Sequence, residues 1–481
     1  MKRVLFVASE CVPFIKTGGL ADVIGALPKM MNRNEYDIRV FLPFYTCIPQ
    51  ELRDEAEFVT HFYMNYTGRD EYVGIKQMLY EGIQFYFIDN EYYFSGMTPY
   101  TNIYDDVWKF SFFCKAVLYS LPKVDFKPDI IHCHDWQTSL MPVYIKIDLA
   151  SYMFYQKIKT VLTIHNLEFK GCCRMEVLRT ILGYSDALIN NGNFELDGGG
   201  SMLKAGIVYA DYISTVSETY AKEIQTHYYG ENLAELLISR SDSLRGIING
   251  VDYGIYDPVH DKFLVERYNI ENVKENKAKN KEELQRRFGV EVNKDKFVVG
   301  FISRLTEQKG IDLIQQVMNE ICMEDIQFFV LGTGERRYED RFRQFASQYP
   351  QNVVANICYS EELAHMMYAG CDALLMPSRF EPCGLCQLMS FRYGTIPIVR
   401  ETGGLKDTVI DYNKNEQEGN GFSFAQYNSY DMLYAIRHAK IIFTAYKDLW
   451  LEMMKRGMAL DYSWSASTRK YEKLYDEILE S

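Results

Sequence analysis

Short apolar runs recur along this chain, each followed by a polar turn and then by a segment with helical spacing of its hydrophobic positions. This alternation is the signature of a parallel sheet with crossover helices. In the first half the spacing predicts strands at Arg3–Ala8, Asp37–Leu42, Phe85–Ile88, Asp129–His134, Thr160–His165 and Tyr212–Val216, with helices at Leu20–Met31 and Ser217–Gln225 among those between them. Between Val259 and Arg287 the pattern turns polar and charged, which predicts a solvated helix or loop and the opening of a second domain. The alternation then resumes, with strands expected at Phe297–Ile302, Gln327–Leu331, Val353–Ile357, Ala373–Met376 and Ile396–Val399. From about Asp448 to Ser481 the chain is helical in pattern and rich in aromatic and charged residues. The expected division is residues 1–250, 251–460 and a terminal helix over 461–481.

Length supports that division, because 481 residues exceed one ordinary core. A net charge of −13 argues against nucleic acid or an anionic membrane as partner. No apolar run is long enough to cross a bilayer, and the opening residues read as a first strand rather than a signal peptide. Eleven cysteines, an odd number without a secretion signal, fit reduced thiols in a cytoplasm. Cys383-Gly-Leu-Cys386 is a C-x-x-C at a helix start; a redox pair is conceivable there, but cysteines that merely line a site are the favoured reading, and no second C-x-x-C completes a zinc site.

The candidate chemistry gathers at strand ends, where parallel sheets bind their ligands. Ser378 to Asp407 offers an exposed-looking acid, Glu381, then a helix, a strand, and the turn Thr402-Gly403-Gly404 at a helix start. Glycines before a helix let amides approach an anion that the dipole favours. One βαβ unit thus presents a carboxylate for a polar group and a cradle for a phosphate. Arg304 and Lys309 follow the strand Phe297–Ile302, two cations five apart that suit a diphosphate. Lys16-Thr-Gly18-Gly19-Leu follows the first strand; it is neither a Walker A motif nor G-x-G-x-x-G, and a bare turn and a phosphate contact are equal readings. Thr17–Asp22 and Thr402–Asp407 share a TGGLxD pattern, so two facing glycine turns could grip one ligand, or the match is chance. His132-Cys-His134-Asp135 ends one strand; a metal there lacks the further ligand spacing, and a polar site wall or simply a capped helix start is favoured. His165-Asn166 ends another, where a lone histidine is usually structural unless it faces a cleft. Asn249-Gly-Val-Asp252 reads as a turn. Nine aromatic residues between Tyr92 and Phe113 should mostly pack, with a few left to stack on sugar rings.

Together these patches resemble bacterial glycogen/starch synthase, a retaining glucosyltransferase of glycosyltransferase family 5. The resemblance spans nearly the whole chain. It rests on Lys16-Thr-Gly-Gly-Leu-Ala-Asp-Val, His134-Asp-Trp-Gln137, Thr163-Ile-His-Asn166, Lys204-Ala-Gly-Ile, Ala210 to Ser217, Asn249-Gly-Val-Asp, Ser303 to Gly310, Arg379-Phe-Glu-Pro-Cys-Gly-Leu and Glu401 to Asp407. It implies the GT-B architecture, two Rossmann-like domains facing across a deep cleft, with a last helix that returns to the first domain. It implies glucose transfer from ADP-glucose to the non-reducing 4-hydroxyl of glycogen or a malto-oligosaccharide, without metal or cofactor, in the cytoplasm. Carried over residue by residue, Arg304 and Lys309 would hold the diphosphate and Lys16, Gly18 and Gly19 would approach the donor. Thr402, Gly403 and Gly404 would offer amides to the distal phosphate. Glu381, His165 and Asn249 would meet the glucose, Asp135 would line the reacting centre, and Tyr359 would pack on the base. Two departures stand out: Met389 replaces a second glutamate common in related retaining enzymes, and Tyr93 to Thr101 lacks the usual arginine and glycine of the acceptor segment. A sugar-nucleotide epimerase and a silent glycan-binding scaffold are the competing readings; neither donor preference nor oligomeric state is legible.

Overall fold

The computed structural model describes residues 1–412 and 418–480. They divide into two compact units, Met1–Ile248 with the tail from Trp464, and Asn249–Ser463.

The first unit is built on a nine-stranded sheet. Lys2–Val7 lies at its centre, parallel to Tyr36–Pro43 on one side and to Ile130–His134 on the other. Beyond Ile130–His134 come Lys159–Ile164, Tyr212–Thr215 and Leu244–Gly246, all parallel. These strands read as continuous apolar runs because helices cover both faces; Val4 to Val7, for example, have no exposed surface. Chain order reverses between Lys2–Val7 and Ile130–His134, so the carboxyl ends of those two strands flank a topological switch point.

Several strands escaped the sequence pattern, and two of them are long. Glu57–Tyr66 and Arg69–Tyr80 form an antiparallel ribbon that continues into Ile83–Asp89. Each connection is a two-residue turn, Thr67-Gly68 and Glu81-Gly82, with both residues at positive φ, the turn whose twist matches paired strands. The ribbon lies at the sheet's edge and mixes exposed and buried positions along both strands, so no clean apolar period announces it. The aromatic run divides as expected. Phe94, Phe110, Phe112 and Phe113 are buried, while Tyr92 and Tyr104 are exposed.

The terminal helix, Trp464–Glu480, belongs to this unit. It buries Trp464, Tyr471, Leu474, Tyr475 and Ile478 and pairs Asp476 with Lys2 and Glu477 with Arg245.

The second unit carries six parallel strands. Their spatial order is Val353–Asn356, Ile326–Leu331, Phe297–Ile302, Ala373–Met376, Ile396–Arg400 and Phe422–Phe424. Numbered along the chain this is 3-2-1-4-5-6, the order of a doubly wound dinucleotide-binding sheet, with its switch point between Phe297–Ile302 and Ala373–Met376.

The polar stretch expected to be solvated is instead partly interior. Val273–Arg287 is a helix that buries Lys277, Asn280, Lys281 and Gln285. Lys277 Nζ shares its three N–H donors among four acceptors within hydrogen-bond distance, the carbonyls of Tyr368 (3.0 Å), Ala369 (2.9 Å) and Tyr393 (3.2 Å) and Thr395 Oγ1 (2.6 Å). Two of those carbonyls end the helix Glu361–Gly370, where a cation is favoured. Lys281 pairs with Asp372 at 2.6 Å and donates to Lys294 and Lys296 carbonyls. Charge along this helix therefore meets buried acceptors, which a hydropathy pattern cannot show.

Candidate functional site

In the second unit the polar side chains converge at the switch point. The strand Phe297–Ile302 runs into Ser303-Arg304 and a short turn of helix, Glu307–Lys309. Gly310 then starts the helix Ile311–Met323 at φ +71, and a Cβ there would lie 2.1 Å from the Pro377 carbonyl. Glycine is thus needed for this loop to lie against the end of the neighbouring strand. That proximity delivers Lys309 Nζ to within 2.6 Å of Glu381 Oε2, which also accepts from Ser378 Oγ at 2.8 Å. Glu381 is 7% exposed, so the acid that looked exposed in sequence is held inside by a lysine and a serine. Two further bonds fix the turn: Arg379 N donates to Gln308 O at 2.8 Å, and Gln308 Nε2 donates to Phe380 O at 3.2 Å. Arg400, at the end of its strand, donates to the Arg379 carbonyl at 2.6 Å. Ser378 and Arg400 carried no sequence signal for these roles: Ser378 reaches Glu381 through an irregular turn three residues long, and Arg400 is recognisable only once adjacent strands are aligned.

Arg304 is exposed, and among the described residues it pairs with no carboxylate. The turn Thr402-Gly403-Gly404 packs tightly on the same loop. Gly403 has φ +44, and a Cβ would sit 2.0 Å from the Glu381 carbonyl; at Gly404 it would sit 1.9 Å from the Cys383 carbonyl. The Gly404 amide donates to the carbonyls of Glu381 (3.1 Å) and Pro382 (3.2 Å), so it is already engaged within the chain. Asn249 is buried, and its Oδ1 has no hydrogen-bond partner. An unsatisfied buried acceptor of this kind invites a ligand hydroxyl. Tyr359 presents a ring 74% exposed, with its hydroxyl on Glu361 Oε1 at 3.0 Å. Burial pushes the Cys383 thiol up to about 12 and raises Cys386 as well. Both are free thiols lining the loop, far from the thiolate character that redox work needs. Met389 packs against the core.

In the first unit the polar groups again cluster at the switch point. The strand Lys2–Val7 leads to Glu10, 4% exposed, which accepts from Thr17 N at 2.5 Å and Thr17 Oγ1 at 2.8 Å. Burial raises its carboxyl, against hydrogen bonds from Thr17, the Gly18 amide and Tyr100 that lower it. Glu10 thereby shapes the glycine turn, a function sequence reading missed because a single glutamate after a strand has no distinguishing neighbour. Gly18 is extended, at φ −156, and an added Cβ would meet nothing closer than Glu10 Oε1 at 3.8 Å. The helix Gly19–Met30 begins immediately after it. Lys16 pairs with Asp22 at 2.8 Å. The two TGGLxD patches therefore differ in backbone: Gly18 precedes its helix in extended form, whereas Gly403 opens one at positive φ.

The strand Ile130–His134 ends at Asp135, whose φ is +55. Its carboxylate accepts from the His165 amide at 2.7 Å and from the Asn166 amide. Burial nevertheless dominates and lifts its carboxyl to about 7, with Glu10 adding to the rise. His165 ends the next strand. Its Nε2 lies 3.0 Å from His134 Nδ1, and burial holds its ring neutral, with a pKa lowered to about 3. His132 is also neutral, lowered to about 3 by burial. Both its nitrogens are taken, Nδ1 by the Tyr475 hydroxyl at 2.7 Å and Nε2 by Thr163 Oγ1 at 2.5 Å. Thr163 continues to Ser214 Oγ at 2.6 Å. A buried polar chain thus runs from Tyr475 through His132 and Thr163 to Ser214 beside Asp135 and His165.

Residues 3–239 match the family model for the starch synthase catalytic domain, and residues 282–440 that for glycosyl transferases group 1. A glycogen synthase from Lachnospira eligens is 52% identical over 478 residues, covering 99% of this chain and 100% of that protein. A glycogen synthase from Lachnoclostridium phytofermentans is 53% identical over 478 residues, with the same coverage. Among solved structures, the catalytic domain of starch synthase IV from Arabidopsis thaliana, bound to ADP and acarbose, superposes with a TM-score of 0.90 at 30% identity, covering all of both chains.

Proposed function

Because the chain belongs to the glycogen synthase family of GT-B glucosyltransferases, we propose that it extends an α-1,4-glucan by moving glucose from ADP-glucose to the acceptor's non-reducing 4-hydroxyl with retention of configuration. The Lys309–Glu381–Ser378 cluster at the switch point of the second unit carries the reading. A lysine already poised on a buried glutamate can exchange that partner for a phosphate oxygen, leaving Glu381 free to accept from glucose hydroxyls. Arg304 supplies a second positive charge for the diphosphate. Fixed cations of this kind stabilise the charge that grows on the departing nucleotide and cost no reorganisation as the bond breaks. Tyr359 offers its exposed ring to the base, the Gly403 turn its backbone to the distal phosphate, and Asn249 its open oxygen to the sugar.

In the first unit Lys16, Gly18 and Gly19 form the approach to the donor. Asp135 and neutral His165 serve the sugar: one places negative charge near a developing oxocarbenium centre, the other hydrogen-bonds a hydroxyl. The acceptor hydroxyl attacks on the face the phosphate leaves, and the departing phosphate takes its proton. A covalent carboxyl intermediate would need a carboxylate beneath the ring, and Met389 offers none. Excluding water favours transfer over donor hydrolysis. No helix among the described residues is long and apolar enough to cross a membrane, and the reading places the enzyme in the cytoplasm beside its soluble substrates.

The test is labelled transfer to glycogen from ADP-glucose and UDP-glucose side by side, with Lys309→Ala and Glu381→Ala. Transfer from ADP-glucose, cut by orders of magnitude in both variants, is the expected result. Near-normal synthesis by both variants would remove the site assignment, and an altered hexose without glucan would favour an epimerase.

A further inference from the structure

We propose that His134 is a positioning residue: donating from Nδ1 to His165 Nε2, it fixes the proton of neutral His165 on Nδ1, so that His165 meets the sugar as a hydrogen-bond donor. The two rings share one bond, 3.0 Å between His134 Nδ1 and His165 Nε2, so one nitrogen carries the proton and the other accepts. His134 has no exposed surface, and its Nε2 has no hydrogen-bond partner. Were its proton on Nε2, a buried N–H would be orphaned, the rarer and costlier kind of defect. With the proton on Nδ1, only an acceptor lone pair goes unused. The imidazole inventory then leaves no choice: Nδ1–H of His134 donates, Nε2 of His165 accepts, and His165, held neutral, carries its own proton on Nδ1.

That Nδ1 makes no hydrogen bond among the described residues, and the residue keeps part of its surface open to solvent. The donor is therefore left for a ligand oxygen. Packing holds the arrangement rigid. The His134 ring stacks on Phe6 at 5.8 Å and 14° and lies 4.2 Å from the His132 ring. Its backbone is clamped by Thr138 Oγ1, which accepts from His134 N at 2.6 Å and donates to His134 O at 2.9 Å. Asp135 accepts the His165 amide at 2.7 Å, so consecutive residues fix the backbone and the proton of the same histidine. The identity of the ligand oxygen as a sugar hydroxyl rests on the glucosyl-transfer reading; the proton placement does not.

The test has two arms on the full-length protein. In the first, protein labelled with 15N-histidine and free of ligand is examined by long-range proton–nitrogen correlation, with His165 assigned through His165→Gln. Wild type should show a protonated Nδ1 and a bare Nε2 on His165. His134→Phe keeps a ring in the stack but removes the donor, and should move the His165 proton to Nε2. His134→Asn, whose amide nitrogen stands where Nδ1 stood, should keep it on Nδ1. In the second arm kcat/KM for glucosyl transfer should fall ten- to a hundredfold in His134→Phe and recover to within about threefold in His134→Asn. A protonated Nε2 on wild-type His165, or a proton and rate unmoved in His134→Phe, would overturn the proposal. Should wild type transfer no glucose while the first arm gives the expected spectra, the reaction reading fails and the proton placement stands.

Discussion

Asp135→Asn isolates the electrostatic penalty at the first unit's switch point. Asparagine tolerates the left-handed backbone seen at φ +55, and its amide oxygen can accept the His165 amide as the carboxylate does. The substitution thus removes a charge with little change of shape. Burial holds the folded carboxyl at about 7, against about 3.9 in an unfolded chain. Between those values the folded protein binds more protons than the unfolded one, so wild type loses stability as pH rises from about 4 to about 7 and loses no more above it. Three units at about 1.4 kcal/mol each set an upper bound of about 4 kcal/mol. Water at the half-open side of the residue screens about half of that, and giving up one of two amide bonds returns about 1 kcal/mol. The variant should therefore be more stable than wild type by about 1 kcal/mol at pH 8, equal near pH 5, and slightly weaker below. Urea unfolding of both proteins at pH 4.5, 6 and 8 measures this difference. A gap that does not widen with pH, or a variant weaker at pH 8, would refute the burial argument. Glucosyl transfer should meanwhile fall by orders of magnitude; an active variant would remove Asp135 from the reacting centre.

Gly18→Ala and Gly403→Ala should separate room kept for a ligand from room the fold itself needs. The first adds a methyl that meets only Glu10 Oε1 at ordinary contact distance and should cost no more than about 1 kcal/mol, the loss of a glycine N-cap, while lowering transfer at least tenfold; the second collides with the Glu381 carbonyl at positive φ and should lose about 2–4 kcal/mol along with activity, both read by thermal melting and initial rates. Lys277→Met removes a donor shared by three buried carbonyls, of which Tyr393 keeps the Tyr268 hydroxyl and Tyr368 keeps Thr395 Oγ1, and should cost about 1–3 kcal/mol. Because burial lowers the Lys277 ammonium to about 7, the unfolded chain binds more protons above that pH, so the wild-type advantage should widen between pH 7 and 9 in matched denaturant titrations. Thiol labelling followed by peptide mass mapping should mark exposed Cys172 and Cys358 first and leave Cys383 and Cys386 unmodified while the protein is folded.

The parallel strands were legible because burial on both faces leaves an uninterrupted apolar run; Phe297–Ile302 and Ala373–Met376 fall where the spacing put them. The edge ribbon was not, since Glu57–Tyr66 is buried at only two positions and its turns carry a weak Thr-Gly and Glu-Gly signal. Hydropathy misjudged Val273–Arg287 for a different reason: a lysine aimed at carbonyls is as interior as a leucine, but only the acceptors reveal it. In the site, motif and strand-end position located Lys309 and Glu381 but not their contact, which depends on a glycine at 310 letting two loops touch. Arg400 acts on a loop at the end of a neighbouring strand, which one-dimensional spacing cannot pair with it, whereas Glu10 and Ser378 bond residues seven and three positions away through irregular turns that follow no helical or strand period.

The first unit is discontinuous: the helix Trp464–Glu480, which gives His132 its Tyr475 partner, is separated from the rest of that unit by the whole of the second. A ribosome emits the chain from one end, so the piece that closes the first unit's core emerges only after the whole of the second. The intervening unit can finish folding while its predecessor still lacks a side of its interior. Translation that stops before Trp464 therefore leaves the first unit, not the second, without part of its interior, and deprives His132 of its Tyr475 partner.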